Sequence, residues 1–297
     1  MKKLHKEITL IVVFLVFITY AFSLWTFAGV VGKNQARTII RDFERSYLYQ
    51  TALSNPTYEK QREEILSDPV TSKKKLEALM NTAFKLAGDQ ESQVFYVDVL
   101  QGKISKSKIE NLKFKKKAEG DVAYIRINVF NSRLIPILEK ALDGYEGKKK
   151  SVILDLRGTS FGAMDIAAMV ADEFIPGNKE VCTLQGAVAT NTIKSDAFAY
   201  GFEKIYVFVD KETGAPAEMC ALALQQNMPD KVVLVGNSTK QKNTAFADRK
   251  YSIHFGTSIA ASKWTVNGYN SEVIQAILAQ KSYPQLEKLE DYMDQVK

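Results

Sequence analysis

Two histidines, two cysteines and one strand-to-helix turn limit the chemistry open to this chain of 297 residues. His5 lies in the N-terminal tail, so a Ser-His-Asp triad would have to be built on His254. Histidines, cysteines and close carboxylates do not recur at metal-ligand spacing, and neither a metal nor another cofactor is expected. The stretch Asp210–Asn227, DKETGAPAEMCALALQQN, carries the strongest signal. An apolar run at 205–209 reads as a strand, enters a small-residue turn, and is followed by good helix formers at 218–226. A turn of this kind exposes one side chain and aims the first helical N–H groups at whatever sits there, which is how α/β enzymes mount a nucleophile. Here the exposed positions are Gly214, Ala215, Pro216 and Ala217. None of these side chains can attack a carbonyl.

The rest of the composition bounds the setting. Forty basic against 34 acidic residues give a net charge of +6. The lysines are scattered in short runs (Lys73–Lys75, Lys115–Lys117, Lys148–Lys150) without aromatic interleaving, so no nucleic-acid partner is expected. Cys182 and Cys220 fall in apolar strand or helix patterns, which predicts two buried free thiols. Ile8 to Val31 is an uncharged run of 24 residues flanked by Lys2, Lys3 and Lys6 before it and Lys33 and Arg37 after it. As a helix it would reach about 36 Å, enough for a hydrocarbon core of about 30 Å. It outlasts a signal-peptide h-region and reads as an uncleaved signal anchor. The lysines place the N-terminus in the cytoplasm and the main domain on the far side of the plasma membrane, a single-pass arrangement.

Beyond the anchor, helical spacing predicts helices over 35–49, 58–66 and 72–86, a small bundle beside the main domain. Between 91 and 121 there is room for one hairpin, 94–100 with 112–117, and not for another domain. Strands and helices then alternate: strands at 122–129, 151–156, 180–184, 205–209 and 232–235, helices at 133–142, 162–174 and 218–226. This alternation predicts an α/β domain with helices covering the sheet. The run VILDL should be buried on both faces. The expected boundaries are 1–33 for tail and transmembrane helix, 34–92 for the helical segment and 93–297 for the α/β domain.

In that order the chain resembles the tail-specific, or carboxyl-terminal processing, serine peptidases. Residues 151–162, SVILDLRGTSFG, are similar to that family's ILDLRGNPGG stretch. Residues 213–226, TGAPAEMCALALQQ, are similar to ASASEI-AGALQD, and 236–242, GNSTKQK, to GEPTFGK. Weaker collinear matches lie at 76–92 and 259–268, so the similarity covers roughly 35–275. The resemblance implies a ClpP/crotonase-like sheet core with covering helices and a serine nucleophile activated by a lysine base. It places the nucleophile at Ala215, the oxyanion N–H at Pro216, the base at Lys242 with Lys240 competing, and an orienting glutamine at Phe246. It also makes Gly158, Thr159, Ser160 and Gly162, with Gly214 and Ala217, the residues that would line the binding cleft. The family's PDZ domain has no space in this chain.

The departures are chemical. Alanine has no lone pair to offer and proline no N–H, and losing one oxyanion donor costs about 100- to 1,000-fold in rate. Phe246 cannot orient a lysine. Ser160 and Ser238 could substitute as nucleophiles, but neither sits at the strand-to-helix turn. The expectation is therefore a membrane-anchored pseudopeptidase that binds a peptide or partner protein in the retained cleft. The alternative is an active Ser-Lys peptidase with rearranged residues. A hydratase on the related crotonase architecture would need a pair of glutamates that cannot be placed in the cleft.

Overall fold

The computed structural model describes residues 11–16, 18, 29–98, 103–104, 113–252 and 255–280. The chain divides into two compact units. One holds residues up to 108 and 247–260, the other 109–246 and 261 onward.

In the first unit, Lys33–Ser46 forms a helix because Ala36, Ile39, Ile40 and Phe43 recur on one face and are buried there. Phe43 stacks on Tyr47 and meets Phe84 edge-on, giving this unit an aromatic centre. A short helical turn follows at Gln50–Leu53, and then the helix Pro56–Ser67. Asn55 caps the latter by accepting the Thr57 N–H at 2.9 Å. The helix Lys73–Ala87 starts where Ser72 accepts the Lys75 N–H and stops at Gly88, whose φ of 67 is the left-handed conformation glycine takes at a helix end.

The second unit is built on a five-stranded sheet ordered Val232–Val235, Lys204–Phe208, Ser151–Asp155, Val122–Arg126, Lys115–Glu119. The first four strands are mutually parallel and the fifth is antiparallel. On one face Ala123, Ile125, Val152, Leu154, Val207 and Leu234 join the main core with the helices Leu134–Tyr145, Met164–Asp172 and Ala215–Asn227. On the other face Val122, Tyr124, Ile153, Phe208 and Val235 form a second cluster. The VILDL strand is thus buried on both sides, as its unbroken apolar run predicts. Ala215–Asn227 is the central helix: eleven of its thirteen residues are buried, so it shows no amphipathic stripe. Cys182 and Cys220 are buried free thiols.

Several expectations need correction. The 112–117 segment does not pair with 94–100. Instead Lys115–Glu119 turns back at Gly120 onto Val122–Arg126, whereas Gln93–Asp98 pairs with residues 255–258 and with Lys103–Ile104 in the first unit. Alternation marks a strand but does not name its partner. The unit boundary accordingly falls near 108 rather than 92, and 247–260 returns to the first unit. Strands at Thr190–Lys194 and Thr244–Ser252 and a helix at Ser271–Gln280 were not anticipated. Most of the apolar run 8–31 lies outside the described residues, and among those described no helix is long and apolar enough to cross a membrane. Val99, Leu100, Leu112 and His254 also lie outside them.

One carboxylate cluster in this unit gives a stability signature. Burial, reinforced by Glu139, Asp172, Asp196 and Asp143, pushes the Glu173 carboxyl up to about 7. An acid whose folded pKa is raised binds its proton more tightly when folded, so its contribution falls as pH climbs from about 4.3 to about 7. Glu173→Gln should therefore melt above the parent at pH 8, with the gap closing at pH 4. Thermal unfolding at both pH values checks this, and an unchanged gap would refute it.

Candidate active site

Three loops leave the carboxyl ends of neighbouring parallel strands, after Asp155, Phe208 and Val235, which is where open α/β sheets place their sites. Hydrogen bonds lace them together. Asp210 Oδ1 accepts the Gly158 N–H at 2.9 Å, Thr159 O accepts the Gly214 N–H at 2.9 Å, and Thr213 O accepts the Lys240 N–H at 2.9 Å. Thr213 donates its hydroxyl to Leu156 O at 3.1 Å from a fully buried position.

The Arg157–Gly162 loop is anchored by Asp155, which is fully buried. Its carboxylate accepts from Tyr124 Oη at 2.7 Å, from Arg157 Nε and Nη2 at 2.8 Å each, and from Arg126 Nη1 at 3.4 Å. Burial opposes its charge, yet Arg157, Tyr124 and Arg126 together hold the carboxyl below the ordinary carboxylate range. The sequence displays Asp155 and Arg157 inside the quoted LDLRG stretch, but sequence reasoning gave them no role.

The helix begins at Ala215 with Pro216 in its first turn, where a missing N–H costs nothing because no intrahelical partner exists. The Ala217 and Glu218 N–H groups return to Gly214 O. Ala215, where the resemblance places the nucleophile, is 8% exposed, and Ala217 is fully buried. Glu218, also fully buried, clamps the loop opposite: its carboxylate accepts the N–H of Gln241 at 2.6 Å and of Lys242 at 2.9 Å. Burial pushes its carboxyl up, against the pull of these N–H groups and of Lys240.

The two candidate lysines separate in space. Lys240 reaches the helix start: its Nζ lies 3.3 Å from Ser160 Oγ and 3.3 Å from Glu212 Oε2. The Lys242 main chain is tied between Glu218 and the indole of the buried Trp264, which donates to Lys242 O at 2.9 Å. Phe246 sits half-buried on the strand Thr244–Ser252.

Of the expected lining residues, Thr159 is wholly buried, its hydroxyl donating to Ile127 O at 2.5 Å. Gly162 has φ 128 and packs so closely on the Phe130 backbone that a Cβ would collide. Both positions therefore have structural explanations. Ser160 is half-buried and Phe161 is 44% exposed beside it. The contact that sequence reasoning missed, Ser160 with Lys240, joins residues 80 positions apart. The only sequence sign of it was that each follows a predicted strand of the α/β domain.

Among the described residues no cluster could hold a metal ion. The site therefore offers a serine hydroxyl, a lysine and a helix N-terminus, with no nucleophile on the turn itself.

Known proteins agree with this architecture. A family model for Peptidase family S41 matches residues 121–278, just over half of the chain. The carboxy-terminal processing protease CtpA of Bacillus subtilis (strain 168) is 26% identical over 148 residues, covering 49% of this chain and 31% of that protein. A probable CtpA-like serine protease of Staphylococcus haemolyticus is 25% identical over 194 residues, 64% of this chain and 38% of that one. The chain thus spans about a third of the length of these curated relatives. Among solved structures, a lipoprotein from Streptococcus agalactiae superimposes with a TM-score of 0.57 at 16% identity, over 80% of this chain and 87% of that one. The photosystem II D1 C-terminal processing protease gives 0.55 at 12%, over 80% and 90%. Both show a shared fold. With the family model covering more than half of its length, the chain belongs to peptidase family S41, the tail-specific serine peptidases.

Proposed function

We propose that this family member is a membrane-anchored, extracytoplasmic pseudopeptidase that holds an extended peptide or a partner protein in the cleft its family uses for cleavage. One observation carries the reading: Ala215, Pro216 and Ala217 head the central helix where the family's nucleophile and oxyanion donor belong. The turn has a strand-to-helix form and carries no side chain that could act as a nucleophile. The exposed ring of Phe161 supports apolar contact with a bound chain. The anchor is the uncharged run 8–31.

Two measurements test this. The purified full chain, incubated with peptides bearing free apolar C-termini, should bind them without producing new termini by mass spectrometry. Cleavage that disappears in Lys240→Ala or Lys242→Ala would overturn the reading. Membranes washed with alkaline carbonate should retain the full chain and release residues 34–297; release of both would refute the anchor.

A further inference from the structure

The turn has no nucleophile, but the neighbouring loop brings one to the same place. Ser160 Oγ stands 3.3 Å from Lys240 Nζ, within hydrogen-bond reach. This closeness depends on a missing side chain. A Cβ added to Gly214 would lie 2.8 Å from Ser160 Cβ, 3.3 Å from Ser160 Cα and 3.4 Å from Lys240 Cδ. Glycine at the helix N-cap therefore lets the serine and the lysine close over the start of the Ala215–Asn227 helix. The Gly214 N–H to Thr159 O and Lys240 N–H to Thr213 O bonds hold both loops in that position. Pro216 has no N–H to offer, and the Ala217 and Glu218 N–H groups return to Gly214 O, so the Ala215 N–H is the remaining first-turn donor.

We propose that Ser160 and Lys240 form a relocated nucleophile–base pair that accepts acyl groups from activated donors such as aryl esters. At rest the lysine ammonium lies between the Ser160 hydroxyl and the Glu212 carboxylate, 3.3 Å from each. The reacting form is the neutral amine. Lys240 takes the hydroxyl proton as Ser160 Oγ forms its bond to the acyl carbon. The bond to the leaving phenolate breaks, and the ammonium returns its proton to solvent. Water then attacks the Ser160 ester, releasing the carboxylic acid and regenerating the hydroxyl.

Activated esters fit this site better than peptides. Their leaving groups depart without protonation, so they demand less of an oxyanion site that has lost the donor at position 216. The inference goes beyond peptide holding and is compatible with it, because unactivated amides remain uncut. The two can fail separately. Peptide binding by the wild-type chain is measured without the ester, and its loss would overturn the pseudopeptidase reading alone.

The experiment uses the full chain and p-nitrophenyl acetate, with acid quenching and peptide mapping by mass spectrometry. Acetyl should be found on Ser160. The rate of p-nitrophenolate release should fall at least about 100-fold in Ser160→Ala and in Lys240→Arg, the usual size of a lost general base. Lys240→Arg keeps the positive charge but cannot accept the proton, and an unchanged melting temperature will show that it is folded. Ser238→Ala should leave the rate unchanged, and Gly214→Ala should lower it by pushing the serine away. Acetyl on Lys240 instead of Ser160, no acetyl on Ser160, or an undiminished rate in folded Lys240→Arg would overturn the proposal.

Discussion

Asp155→Ala should cost the fold about 3 kcal/mol, the lower end of the range for breaking a buried ion pair by removing one partner. The lower end is expected because the side chains of Arg126 and Arg157 are 37% and 20% exposed and can turn to water, whereas the carboxylate itself is fully buried. Tyr124 Oη, 2.7 Å from the carboxylate, would lose its acceptor inside the second cluster. The damage would spread to the site, since the Arg157–Gly162 loop starts from this carboxylate. The same residue sets an acid limit. Its folded pKa lies below the unfolded value near 3.9, so its stabilisation is complete above that value and is lost as pH falls through the folded one. Urea unfolding at pH 7 and pH 3 checks both points. A midpoint at pH 7 unchanged by the substitution would contradict the role given to Asp155.

Glu218→Ala should cost about 2–3 kcal/mol and loosen the loop that carries both lysines. Each charge-assisted hydrogen bond is worth about 1.5–3 kcal/mol, and two are lost, from Gln241 and Lys242. Water can replace part of that, because both residues are exposed. Here the pH sign is opposite to that of Asp155. Burial raises the folded pKa of Glu218, so its contribution is fullest below about 4.3 and declines as pH rises through the shifted value. The deficit of Glu218→Ala relative to the parent should therefore narrow with rising pH. Melting temperatures across pH 4 to 9 measure this, and a deficit that widens would contradict it.

The frame of the site was legible in the sequence where the signal was local. Ala215, Pro216 and Ala217 could be placed on a strand-to-helix turn because the apolar strand before them and the helix formers after them are contiguous, and the structure starts a helix at Ala215. The helix expected over 72–86 was legible for the same reason and spans Lys73–Ala87. Pairings between distant segments were not legible. The strand at Lys115–Glu119 takes its partner from Val122–Arg126 and not from the 94–100 segment, a choice decided by the short turn at Gly120. The contact of Ser160 with Lys240 depends on which strands lie side by side, and on the absence of a side chain at Gly214. No spacing in the sequence encodes it. Asp155 was hidden differently: a carboxylate in an apolar strand looks like any strand end until Tyr124, Arg126 and Arg157 are seen around it.

The most direct test of the proposed pseudopeptidase is a peptide assay in which one sample reports both binding and cleavage. The purified full chain is mixed with a fluorescent peptide ending in a free apolar carboxyl terminus, with binding followed by anisotropy and new termini sought by mass spectrometry. Saturable binding without new termini is expected, in the parent and also in Ala215→Ser, because Pro216 still supplies no oxyanion N–H. New termini from the parent chain that vanish in Lys240→Ala would contradict the proposal that this turn does not serve peptide cleavage.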